Sequence, residues 1–161
     1  MKTAMVWGAA GGIGRAVTEE FAANGWDVVA LSRHEDLLLN VATHSFHVDL
    51  GDAFSVQRAT QSAAFEVTAI DVWVYAAGDI AAAPVESFDT QYRVNLRAPY
   101  LLTQALLPEL IAAGGDVVFV NSTIGLRAGA EIGQYGATKA GLPALADSLR
   151  EEVNSRGVRV T

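Results

Sequence analysis

The chain has 161 residues, 51% of them hydrophobic, no cysteine and a formal net charge of −7. This length and apolar content suit one domain, residues 1–161, with its own core, and the acidic balance with scattered arginines argues against a nucleic-acid surface. The lack of thiols excludes disulfides and thiolate metal sites, no run of about eighteen apolar residues marks a membrane span, and His34, His44 and His47 lack a convincing carboxylate or helical partner, so no metal is expected.

Met1 and Lys2 before an apolar run have the outline of a secretion signal. Glycines interrupt that run and Arg15 closes it without a clear cleavage site, so a cytoplasmic protein is expected. Thr3–Trp7 reads as a short strand, Gly8-Ala9-Ala10-Gly11-Gly12-Ile13-Gly14 as a turn, and residues 15–24 as a helix. Glycines in such a turn let a phosphate approach the backbone, and the unpaired NH groups of the helix start supply an anion site. Gly8, Gly12, Ile13 and Gly14 are therefore candidates for a pyrophosphate cradle; a ligand-free tight connection between strand and helix is the alternative.

Residues 26–31 form the second strand of a βαβ unit and end at Ser32-Arg33. An acidic side chain at that point would bind a ribose 2'-hydroxyl and repel a 2'-phosphate. The Ser32 hydroxyl and the Arg33 guanidinium favour NADP instead, with NAD as second candidate because Glu35 and Asp36 stand close by. A solvated loop charge is the other reading of Arg33.

Further along, residues 45–48 read as a third strand ending at Asp49, and residues 53–65 as a helix. Residues 70–76 form a fourth strand, apolar enough to be buried on both faces, which ends at Ala77-Gly78. An Ala- and Pro-containing connection over 79–88 leads to a long helix over 89–113, a fifth strand over 116–121 and a helix over 133–155 that Gly157 breaks. Residues 157–161 have the look of a sixth strand in which the chain stops. The alternation predicts an α/β fold, a doubly wound parallel sheet whose ligand crevice lies at the carboxyl ends of the strands. Gly8, Arg33, Asp49, Gly78 and Ser122 all fall at such ends.

Tyr135 and Lys139 stand one helical turn apart, which puts the ammonium beneath the phenol and favours its ionised form. With Ser122 they read as an acid, its tuner and a polarising hydroxyl; an exposed Tyr and Lys on a helix surface is the alternative. Asn95 lies four residues before Pro99, whose missing NH leaves the Asn95 carbonyl free. That carbonyl either holds a water in a local kink, or the site is a plain proline kink with the Asn side chain in solvent. Pro143 frees the Lys139 carbonyl in the same way and is expected to bend its helix.

Taken together, these residues resemble the short-chain dehydrogenase/reductase family over essentially the whole chain. Its glycine spacing matches Gly8, Gly12 and Gly14, and its tetrad matches Asn95, Ser122, Tyr135 and Lys139 in order. The resemblance implies a Rossmann-like fold and a hydride-transferring oxidoreductase acting on a small carbonyl or secondary-alcohol substrate, with Tyr135 as acid/base. It further implies that Asp49 and Leu50 hold the adenine, that Ala76, Ala77 and Gly78 border the cofactor, that Lys139 also binds the nicotinamide ribose, and that Asn95 belongs to a proton relay. The family usually assembles through helices flanking the fifth strand, so a homo-oligomer is expected. Trp7 stands where the family usually has Thr, and Tyr75-Ala76-Ala77-Gly78 where Asn-Asn-Ala-Gly is usual. The second half of the fold is expected to be incomplete, truncated in its sixth strand, with the substrate loop beyond Thr161. Alternatives are a non-catalytic dinucleotide-binding regulator and an inactive fragment of such an enzyme.

Overall fold

Apolar stretches of four to six residues bounded by turns are too short for helices and rich in Val, Leu and aromatic side chains, and they pair as strands. The computed structural model describes residues 1–80, 86–127 and 129–161, Glu86 by its backbone alone. Strands β1 (Thr3–Trp7), β2 (Asp27–Ser32), β3 (His44–His47), β4 (Val72–Tyr75), β5 (Asp116–Phe119) and β6 (Arg159–Val160) form one sheet in the order β3-β2-β1-β4-β5-β6. Every pairing is parallel. The expected doubly wound sheet is therefore present, with the order reversing between β1 and β4.

The crossovers are α1 (Gly12–Ala23) after β1, α2 (Ala53–Glu66) after β3, and α6 (Gly133–Val153) after β5. Between β4 and β5 the expected single helix over 89–113 is broken into α3 (Glu86–Tyr92), a π-helical turn (Arg93–Arg97), α4 (Ala98–Ala105) and α5 (Leu107–Ala113). The breaks follow from two prolines. Pro99 cannot donate to the Asn95 carbonyl, and the turn before it widens so that the Ala98 NH reaches the Arg93 carbonyl five residues back. Pro108 cannot continue the ladder either, and Leu106 leaves helical geometry at φ −106°. α6 keeps Pro143 inside 21 continuous helical residues, so the proline does not end it. The connection expected over 79–88 lies largely outside the described residues.

Strands buried on both faces divide the core in two. On one face Met5, Trp7, Val29, Leu31, Trp73 and Tyr75 pack with α2 and α4 to α6. On the other, Val6, Ala30 and Val74 meet Ala9, Leu38, Val17 and Phe21. Trp7, the departure from the family's Thr, is a fully buried member of the first face. Tyr75, the other departure, stacks on Trp73, which meets Phe119 edge-on. Register then aligns the strand ends: Trp7 pairs with both Leu31 and Tyr75, and Tyr75 with Phe119. The residues that follow these strands emerge in one row.

The histidine expectation needs correction. His47 Nδ1 stands 3.0 Å from Glu35 Oε2, and His44 lies between Asp27 at 4.0 Å and Glu66 at 3.8 Å. Pairing of β2 with β3 brings the histidines to Asp27 and to the turn that holds Glu35, while Glu66 comes from the end of α2. Among the described residues no group of three or more His, Cys, Asp or Glu side chains could hold a metal.

At the opposite edge, Arg159 of β6 grips the Asp116 carboxylate of β5 through two nitrogens. Its hydrogen bonds hold the Asp116 carboxyl below the ordinary 3.8. A depressed folded value means stability that is present above 3.8 and lost as pH falls through the folded value. Arg159→Met should therefore lower Tm by a few degrees at most at neutral pH, since the pair is exposed. In thermal melts across pH the gap to the parent should close on acidification below the carboxylate range; a constant gap would assign it to packing instead.

Candidate active site

Gly8 leaves β1 with φ +81°, and a β-carbon there would stand 2.6 Å from the Ala77 nitrogen. The turn is pinned by the Gly8 and Ala9 NH groups, which both donate to the Leu31 carbonyl at 2.9 and 3.1 Å. It folds back so tightly that a β-carbon on Gly14 would meet the Gly8 oxygen at 2.2 Å. Around Gly12, by contrast, nothing lies within 4 Å of such an atom. Two of the three glycines are thus required by the protein itself, and the third leaves space. α1 starts there with no side-chain cap and no acidic residue in its first turn, so no side chain occupies its first NH groups.

That space is a cleft of about 780 Å³ over the carboxyl ends of the strands. Gly8, Gly12 and Ile13 line it, while Gly14 is buried beneath. Ser32 and Arg33 form one rim. Ser32 Oγ accepts from the His34 NH at 3.1 Å, and the exposed Arg33 has no hydrogen bond or ion pair among the described residues. Glu35, the acid that kept NAD in view, is engaged by His47 and does not line the cleft. A hydrogen bond from its own backbone and then that histidine hold its carboxyl below the ordinary range. Asp49 and Leu50 lie along the floor, where the Asp49 NH donates to Ser55 Oγ at 2.8 Å and the Asp49 carboxylate accepts from the Gly51 NH at 2.9 Å. Ala76, Ala77 and Gly78 form the opposite wall, with the Ala76 NH donating to the Trp7 carbonyl.

Beyond that wall stand Tyr135 and Lys139, both in the cleft lining, as their one-turn spacing on α6 requires. Lys139 is only 3% exposed, and its Nζ donates to the Val120 carbonyl at 3.0 Å. Burial disfavours the ammonium and lowers its pKa. A β-carbon on Gly78 would lie 3.7 Å from Lys139 Nζ and 3.8 Å from Asn95 Oδ1, so both groups border this wall at the same point.

Asn95 is fully buried, which removes the reading of a solvent-facing side chain. Its Oδ1 accepts from the Asp79 NH at 2.7 Å, and its Nδ2 donates to the Asp79 carbonyl at 2.8 Å and to Thr138 Oγ1 at 3.1 Å. From the sheet side, the Tyr75 hydroxyl donates to the Val94 carbonyl at 2.5 Å, within the same π turn. Ser122 follows β5, half-buried, outside the residues that line the cleft although Val120 and Asn121 belong to them. Its Oγ accepts from the Ile124 NH at 3.3 Å and opens the 3₁₀ turn Thr123–Gly125. Sequence reasoning missed Thr138 and Gly125. A β-carbon on Gly125 would stand 2.8 Å from the Lys139 oxygen, so that glycine lets the turn close on α6.

The family model described as short chain dehydrogenase matches residues 2–161. The chain is 33% identical to a D-threitol dehydrogenase of Mycolicibacterium smegmatis, over 99% of this chain and 67% of that one. A metagenomic short-chain oxidoreductase in complex with NADP superposes with a TM-score of 0.91 at 30% identity, over 99% of this chain and 80% of that one. A short chain dehydrogenase/reductase family oxidoreductase from Brucella ovis, in complex with a partially ordered NAD, gives 0.85 at 29% identity over the same shares of 99% and 80%. The chain spans 64%, 67% and 56% of the length of three of the curated relatives it matches.

Two outcomes follow from the packing. Gly14→Ala should cost about 3 kcal/mol in urea unfolding, since backbone must move, whereas Gly12→Ala, with open space and an ordinary φ, should be neutral or stabilise by up to about 1 kcal/mol. For Lys139, whose folded pKa is lowered, the unfolded chain binds more protons between that value and the ordinary 10.5, so the burial cost fades as pH rises through this window. Lys139→Met, with no charge to bury, should gain most on the parent at neutral pH, and the gap should narrow toward pH 10.5 in denaturation series.

Proposed function

Because this chain belongs to the short-chain dehydrogenase family, we propose that it serves an oxidoreductase that moves a hydride between NADP(H) and a carbonyl or secondary-alcohol carbon. The observation that carries the reading is the presence of Tyr135 and Lys139 in the lining of the cleft that begins at the uncapped start of α1.

The residues present fit a dinucleotide. The open space at Gly12 and the free NH groups behind it suit a pyrophosphate. Ser32 and the unpaired Arg33 suit a 2'-phosphate, and Glu35, engaged by His47, is not among the residues that line the cleft. NAD is the second candidate, carried by the neighbour with partially ordered NAD. When bound, the nicotinamide supplies or accepts the hydride.

In the direction of reduction, the Tyr135 hydroxyl donates its proton to the substrate oxygen as the carbonyl carbon is reduced. Lys139 stabilises the phenolate that remains. Ser122 Oγ accepts from the Ile124 NH, so its own proton is free to donate to the substrate oxygen. The Asn95 carbonyl, released by Pro99, holds a water that resupplies Lys139. The same reading includes a cytoplasmic protein that assembles with its own copies through α4 and α6, where Tyr100 is 48% exposed. No described helix is long and apolar enough to cross a membrane.

Tyr135→Phe should bind NADPH within about twofold of the parent and lose turnover of carbonyl substrates by at least about a hundredfold, the contribution of a positioned acid. Fluorescence titration and an NADPH-consumption assay read the two separately. Ordinary turnover by the variant would refute Tyr135 as the acid.

A further inference from the structure

Thr138 lies between Tyr135 and Lys139 in sequence, and its side chain meets Asn95 of the π turn. It is almost fully buried. Its hydroxyl donates to the Tyr135 carbonyl three residues back at 2.8 Å, a habit of Thr inside helices. A hydroxyl has one proton, so toward Asn95 the oxygen can only accept. The contact at 3.1 Å therefore runs from Asn95 Nδ2 to Thr138, and this direction favours the same way round for the Asn95 amide as its bonds to Asp79 do.

With Nδ2 turned to Thr138, the second Nδ2 proton meets the Asp79 carbonyl and Oδ1 meets the Asp79 NH. A flipped amide would place donor against donor at the Asp79 nitrogen and acceptor against acceptor at its oxygen. Both Asp79 bonds would be lost, and Thr138 could meet the flipped oxygen only by giving up its bond to the Tyr135 carbonyl, which makes the present arrangement the favoured one. Asp79 adjoins Gly78, and the Gly78 position borders both Asn95 Oδ1 and Lys139 Nζ.

We infer that Thr138 is a positioning residue: its buried hydroxyl orients the Asn95 amide and so locks the Gly78–Asp79 wall to the helical turn that presents Tyr135 and Lys139. The catalytic side of this inference rests on the reductase reading; its geometric side does not.

The test uses Thr138→Val, which keeps shape and removes the hydroxyl, and Thr138→Ser, which restores it. Amide hydrogen exchange at Asp79, NADPH affinity, and kcat and KM with 2,3-butanedione are measured for each. Thr138→Val should speed Asp79 exchange about tenfold and lower kcat about tenfold, as loss of one buried hydrogen bond implies, with NADPH affinity and KM near parental values. Thr138→Ser should return both. Should valine prevent folding, Thr138→Ala removes the same hydroxyl and takes its place. Parental Asp79 exchange in the hydroxyl-free variant, or failure of serine to restore it, overturns the inference. A parental protein that binds NADPH but reduces no carbonyl would count against the reductase reading alone, and the exchange measurement would still decide the role of Thr138.

Discussion

Where β1 and β4 end, two backbones run closer than any side chain allows: a β-carbon on Gly8 would sit 2.6 Å from the Ala77 nitrogen. This approach depends on the parallel register that sets Trp7 against Tyr75, and it brings the glycine turn against the wall that continues to Gly78. The rest of the cleft is arranged around it. α1 is aimed by Gly14 lying under the Gly8 oxygen, and the row of strand ends places Ser32, Ala76 and Val120 along one opening. Adding atoms at Gly8 or Gly14 would push apart backbone segments that belong to different strands and helices, where no flexible side chain can absorb the strain.

On the far side of the wall, polar groups are buried in a region that otherwise favours apolar ones. Lys139 donates to the Val120 carbonyl, and its burial works against its charge. Asn95 is satisfied at both ends of its amide, by Asp79 and Thr138. A satisfied network of this kind has one low-energy arrangement, because each alternative leaves a donor or acceptor unpaired without water to replace its partner. The sheet contributes as well, through the Tyr75 hydroxyl on the Val94 carbonyl, so the π turn is held from strand and helix at once.

Much of this was legible along the chain. The Gly8 to Gly14 spacing, the alternation of strand and helix, and the i,i+4 pair of Tyr135 and Lys139 are local features, and local geometry converts them into structure with little outside help. Pro99 announced a disturbance at Asn95, and the disturbance is there as a π turn, but its consequence was read only as a freed carbonyl. The side chain's role was hidden because its partners lie 16 and 43 residues away. Likewise, Glu35 and His47 are 12 residues apart on separate elements, and only the pairing of β2 with β3 makes them neighbours.

By itself, then, the sequence determined the alternating elements, the uncapped glycine turn and the phenol with its amine, since each depends on contacts within a few residues. Tertiary structure alone decided which way the Asn95 amide faces, that Thr138 joins it to α6, that Glu35 leaves the rim to Arg33, and that Ser122 stands beside the cleft lining instead of within it. Those outcomes depend on sheet register and on the depth at which helices pack, quantities that no short stretch of residues encodes.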